Sequence, residues 1–209
     1  MRFTDYIWDF DGMLFNTYPR MCAAFREALA RQGCRRPEDE VMAAIKGSVR
    51  EATAAYAARF GLDRDRLTAD YKTAEHAMPP ETIVPYDGAE AFLRAVVARG
   101  GRHFLYTHRD FSALDALARW HMDDCFSGAV TAEDGFPVKP APDALLHLIR
   151  TYAIDPGRAV MLGDRDIDIE AAKRAGIAGC LVDPGRFYDG YDAPLRCRSI
   201  DGLYALMAL

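Results

Sequence analysis

The chain has 209 residues, half of them hydrophobic and 27% charged, with a formal net charge of −5. That length suits one sheet-based core carrying an inserted piece, and the absence of low-complexity tracts or charge blocks marks an ordinary globule. The acidic balance argues against a broadly basic nucleic-acid surface, no apolar run approaches the roughly 20 residues of a membrane span, and Met1–Asp5 lacks the apolar stretch of a signal peptide. Neither nucleic acid nor membrane is therefore an expected partner, and the cytoplasm is the expected compartment.

Tyr6-Ile7-Trp8 reads as a short buried strand that stops where charge and glycine replace the apolar run, at Asp9-Phe10-Asp11-Gly12. From Pro19 to about Pro80 the pattern turns alanine-rich and helical, with helices expected at Met21–Arg31, Glu38–Ile45, Arg50–Phe60 and Arg66–His76. Met78-Pro79-Pro80 ends the last of these, because proline lacks an amide donor and restricts its predecessor, and Tyr86-Asp87-Gly88 marks re-entry into the core. The two crossings are expected to form a hinge. Further strands are expected at His103–Thr107, Ala159–Leu162 and Cys180–Val182, with a weaker one at Ala129–Thr131. Helices at Ala89–Arg99, Phe111–His121, Pro142–Tyr152 and Ile167–Ala175 alternate with them, the last stopped by Gly176, and a final helix is expected over Ile200–Leu209. This alternation predicts an α/β fold: a Rossmann-like parallel-sheet core over 1–17 and 81–209, with an inserted α-helical cap over 18–80. Five scattered cysteines, never spaced as CxxC, predict neither a disulfide framework nor a zinc site, and Cys180 reads as strand core.

Ligands of open α/β sheets sit at the carboxyl ends of strands, and three strands here end in polar groups: Asp9/Asp11, Thr107-His108 and Gly163-Asp164. Residues two apart on an extended segment share a side, so Asp9 and Asp11 can face one pocket, and Gly12 permits a tight turn after them. Thr107 offers a hydroxyl donor, and Lys139 offers a fixed positive charge for a crowded anionic site. Asp164, Asp166 and Asp168 imitate the start of a calcium loop, but Ile169 stands where that loop needs glycine. Asp166 and Glu170 read as solvated acids at a positive helix N-terminus.

Four motifs in order resemble the haloacid dehalogenase superfamily across essentially the whole chain: Asp9–Thr17, Tyr106-Thr107-His108-Arg109, Lys139-Pro140, and Gly163–Asp168 in its GDxxxD form. The resemblance implies a phosphatase in which Asp9 attacks phosphorus to form an aspartyl phosphate, while Asp11 acts first as acid and then as base. It implies a magnesium ion held by Asp9, Asp164 and the main-chain carbonyl of Asp11, with Asp168 in support, and a phosphate held by Thr107, His108 (through its backbone) and Lys139. Within the superfamily the chain is most similar to capped phosphatases of the phosphoglycolate phosphatase group, which implies a small phosphorylated metabolite as substrate. In the expected cap, Lys46-Gly47-Ser48-Val49-Arg50-Glu51 resembles a substrate-reading loop, with Lys46 and Arg50 as its cations; a plain helix-helix junction is the other reading. Two alternatives remain at this point. A β-phosphoglucomutase is disfavoured because Met21 stands where that family has a cap-side histidine, and a noncatalytic metal- or phosphate-binding regulator is disfavoured by the intact motifs. A dehalogenase would lack the second acid, Asp11. The sequence does not speak to oligomeric state.

Overall fold

The computed structural model describes residues 1–208. Its six strands are β1 (Asp5–Trp8), β2 (Arg102–Tyr106), β3 (Phe126–Val130), β4 (Ala159–Gly163), β5 (Ala178–Val182) and β6 (Leu195–Cys197). They form one parallel sheet in the order β3-β2-β1-β4-β5-β6. The nine α-helices among the described residues are α1 (Tyr18–Arg31), α2 (Glu38–Gly47), α3 (Val49–Phe60), α4 (Arg64–Ala77), α5 (Ala89–Val97), α6 (Ser112–Arg119), α7 (Asp143–Thr151), α8 (Asp166–Ala175) and α9 (Ile200–Met207). Leu209, the last residue of the helix expected at the C-terminus, lies outside the described residues.

Every residue of β1 and β4 is buried, as expected of central parallel strands covered on both faces. The order reverses direction at β1: the chain runs outward through β2 and β3, then returns to add β4 on the other side. That reversal is the switch point where doubly wound sheets bind ligands. Register aligns the strand ends, with Trp8 opposite both Leu105 and Leu162. The next residue of each strand end thus lies on one edge, and Asp9 continues the ladder by donating its amide to Leu162 O at 2.8 Å.

Beneath β1 an aromatic cluster carries a polar link. Trp8 Nε1 donates to His103 Nδ1 at 2.9 Å, and His103 Nε2 meets Leu93 O at 3.0 Å, which places the imidazole proton on Nε2. Burial holds His103 neutral, down to about 4, against the opposing effect of the Leu93 bond.

Contacts divide the molecule into two compact units, Met1–Phe15 with Pro85 onward, and Asn16–Val84. The second is entirely helical apart from its connections, and has its own core of Cys22, Phe25, Leu29, Val41, Ile45, Tyr56 and Leu67. Arg20 sits buried inside it. The guanidinium pairs with Glu75 at 2.8 Å and donates to the carbonyls of Glu75, Met78 and Pro79 and to the Thr82 hydroxyl, gathering the chain where α4 ends.

Among the described residues no helix is long and apolar enough to cross a membrane. All five cysteines are free, and Cys180 is buried in β5 as its apolar neighbours suggest. Strand β6 was absent from the expectation. It is three residues long, has Arg196 at its centre and sits at the sheet edge, so it offers no apolar run to read.

Candidate active site

Asp9 and Asp11 emerge from β1 into a tight turn. Gly12 takes φ 82°, a left-handed conformation open to glycine, and its amide returns to Phe15 O at 2.8 Å. Phe10, between the two acids, stacks on Phe15 with ring centroids 4.4 Å apart, which ties the two ends of the turn together.

Lys139 arrives from the segment after β3 and is buried to 3% exposure. Its Nζ lies 2.6 Å from Asp9 Oδ1, 2.8 Å from Asp168 Oδ1 and 2.9 Å from Tyr106 O, and 4.4 Å from the Tyr106 ring centre. Asp168 gets there from the first turn of α8, where Oδ2 also accepts the Arg165 amide at 3.1 Å. Gly163 makes the approach possible: a Cβ at that position would run into the Cβ and carboxyl of Asp168. The glycine of the GDxxxD motif is thus a space requirement.

Asp164, fully buried at the end of β4, completes the acidic group. Asp9, Asp164 and Asp168 each offer a carboxylate oxygen, and the three oxygens lie within 4.8 Å of one another. Two of the three carboxylates meet the Lys139 ammonium, and the third, Asp164, has Arg165 Nε 3.9 Å from its Oδ1. Burial, then the Asp168 and Asp164 charges, pushes Asp9 well above the usual carboxylate range, although Lys139 pulls the other way. Asp168 is held below that range by Lys139 and Arg165, which outweigh its burial. For Lys139, burial opposes the charge, but Asp168 and Asp9 prevail and raise it.

The residues fit a hard divalent cation. Asp9 Oδ2 is buried with no hydrogen-bond partner, the nearby donors are all oxygens, and the local charge is short of compensation. Asp168 is already committed to Lys139 and to the Arg165 amide, consistent with a supporting place.

Thr107, buried just beyond β2, accepts the Arg109 amide on Oγ1 at 3.0 Å and keeps its own proton to donate. Two contacts in this segment were not foreseen. The Arg109 guanidinium grips Asp11, with Nη2 2.9 Å and Nε 3.0 Å from Oδ1. His108 turns its ring toward Lys139, whose amide donates to Nε2 at 2.9 Å. Desolvation of the ring, then the charges of Lys139 and Arg165, lower His108 to about 4. The only available signal was adjacency to Thr107, since the partners lie 98 and 31 residues away in sequence. Glu170, expected as a solvated acid, instead accepts the Tyr191 hydroxyl at 2.8 Å.

In the helical unit, Lys46 ends α2 as a buried side chain with Nζ 4.3 Å from the Tyr18 ring centre, and Arg50 is exposed on α3. Ser48 between them caps α3 by accepting the Glu51 amide at 3.3 Å, so this segment serves as a helix-helix junction.

Comparison with known proteins agrees with this geometry. The family described as haloacid dehalogenase-like hydrolase matches residues 6–182. Phosphoglycolate phosphatase of Rhodospirillum rubrum is 30% identical over 193 residues, which cover 86% of this chain and 79% of that protein. A Cupriavidus necator protein named "Phosphoglycolate phosphatase, plasmid" is 32% identical over 126 residues, 59% of this chain and 54% of its own length. The crystal structure of a hydrolase from Streptococcus pneumoniae TIGR4 superposes over the whole of both chains with a TM-score of 0.70 at 31% identity. The chain belongs to the haloacid dehalogenase-like hydrolase family, and it is an enzyme of the phosphatase class.

Proposed function

We propose that the chain hydrolyses a small phosphomonoester through a phosphoryl group carried on Asp9, with magnesium as the cofactor. The observation that carries the reading is the division of Asp9: Oδ1 is held by Lys139 at 2.6 Å, while Oδ2 is buried without a partner. A carboxylate oriented on one oxygen and bare on the other is poised as a nucleophile.

In the first step an Asp9 oxygen bonds to phosphorus as the ester P–O bond breaks, and Asp11 gives its proton to the departing alkoxide. In the second, water attacks phosphorus, Asp11 takes the proton from that water, and the bond to Asp9 breaks to release inorganic phosphate. Asp11 must part from Arg109 to reach the leaving oxygen. Thr107 and the main chain of His108 hold phosphoryl oxygens, and Lys139 offsets charge on the transferring group. Asp9, Asp164 and the Asp11 carbonyl would hold magnesium, which when bound lessens repulsion between the phosphate dianion and the carboxylates.

The helical unit serves as the cap that reads the leaving group, with Lys46 and Arg50 as its cations. Phosphoglycolate is the first candidate substrate, because two relatives at or above 30% identity carry that name. The test is phosphate release from p-nitrophenyl phosphate and from a panel of small phosphorylated metabolites. Magnesium-dependent release that chelation stops is expected. No release from any of them by folded protein with magnesium present overturns the reading and leaves a binding protein.

A further inference from the structure

The loop after β2 and the segment leading to Lys139 are clipped together twice. Ala132 donates its amide to Arg109 O at 3.0 Å, and Lys139 donates its amide to His108 Nε2 at 2.9 Å. The second clip falls on the residue whose ammonium meets Asp9, Asp168 and Tyr106 O within 2.9 Å. A three-point ammonium site tolerates little drift of its own main chain, because each partner sits at contact distance.

The geometry points to His108 as a positioning residue: its imidazole, accepting on Nε2, fixes the Lys139 peptide so that the ammonium stays seated on Asp9. The inference rests on the phosphatase reading above, and it gives the side chain of His108 a task separate from any phosphate contact of its backbone. An acceptor at Nε2 requires the neutral ring with its proton on Nδ1. The cations Lys139 and Arg165 and the desolvated ring environment all favour that form.

Two substitutions separate acceptor chemistry from packing. Glutamine places its amide oxygen three bonds from Cβ, as Nε2 is, whereas phenylalanine keeps the flat ring and removes the acceptor. Alanine is a weaker probe because water can enter and satisfy the Lys139 amide. H108F is expected to lower kcat on p-nitrophenyl phosphate by about tenfold or more with KM moving less than about threefold, and H108Q to recover most of that loss. The contact is also read without turnover, by hydrogen exchange at the Lys139 amide: faster in H108F than in the wild-type protein, slow again in H108Q. H108F close to wild type in kcat, H108Q falling as far as H108F in a folded protein, or equal amide exchange in all three overturns the inference. Wild-type protein that releases no phosphate fails the phosphatase reading instead, and the exchange experiment then decides the His108 contact by itself.

Discussion

Each unit buries a cation paired with carboxylate, Arg20 in one and Lys139 in the other, and the two sites are built differently. Arg20 in the helical unit meets one carboxylate, Glu75, and distributes its remaining donors over carbonyls and a hydroxyl, so charge and hydrogen bonds close together. Lys139 in the sheet unit meets two carboxylates, has a third beside them, and leaves Asp9 Oδ2 without a partner. A closed buried ion pair specifies a structure, whereas an open one reserves capacity for something that binds. The difference lies in completeness, since the burial of the two cations is similar.

The comparison breaks most visibly at its open end. Asp9→Asn should reduce steady-state phosphate release by on the order of 10³-fold or more, since the amide cannot act as nucleophile. Its thermal midpoint should hold or rise, because one of three crowded carboxylates has been neutralised. A fall in midpoint as large as that of the Arg20 variant below would show that Asp9 is structural. At the closed end, Arg20→Met removes the cation paired with the buried Glu75 carboxylate and should destabilise the helical unit by about 3–5 kcal/mol, read by thermal or chemical denaturation. An unchanged midpoint would mean that the closed pair contributes nothing.

Gly163→Ala tests how tightly the open cluster is packed. The added methyl meets Asp168, so stability should fall by about 1–3 kcal/mol and phosphate release should fall with the displacement of Lys139's partner. Full stability and activity would refute the space argument. His103 supplies the smallest effect and a third kind of buried polar group, neutral and satisfied on both nitrogens. Its folded-state value is depressed to about 4, so between that value and the unfolded value of about 6.5 the unfolded chain binds the extra proton. Stability from this group is present at neutral pH and lost as pH falls through that window, by about 1 kcal/mol at pH 5.5. His103→Asn should be less stable at pH 7 yet lose less between pH 7 and 5.5. Parallel losses in both proteins would rule the proton linkage out.

Much of the sheet was legible because its central strands are unbroken apolar runs that end abruptly in polar residues. Tyr6-Ile7-Trp8 before Asp9 and Ala159–Leu162 before Gly163-Asp164 carry both the strand and its functional end in a few letters. The weak strand expected at Ala129–Thr131 begins earlier, at Phe126, because Ser127 and Gly128 dilute its apolar signal. Pairings that join distant loops were not legible. Nothing beside Arg109 says that it will grip Asp11, and nothing beside His108 says that it will accept the Lys139 amide. Lys46 shows the converse difficulty: in the sequence it is a loop cation next to glycine, while in the fold it is buried over Tyr18, a position set by helix packing.

The bond between Trp8 and His103 also makes the protein its own optical probe. The chain has two tryptophans, Trp8 buried one residue before Asp9 and Trp120 exposed after α6. Their emission should separate into a short-wavelength component from the dry indole and a long-wavelength component from the wet one. A neutral imidazole accepts the indole proton, whereas an imidazolium cannot and quenches its neighbour. Acid titration should therefore dim the blue component as His103 takes up its proton, so that the short-wavelength light reports on the strand that carries Asp9.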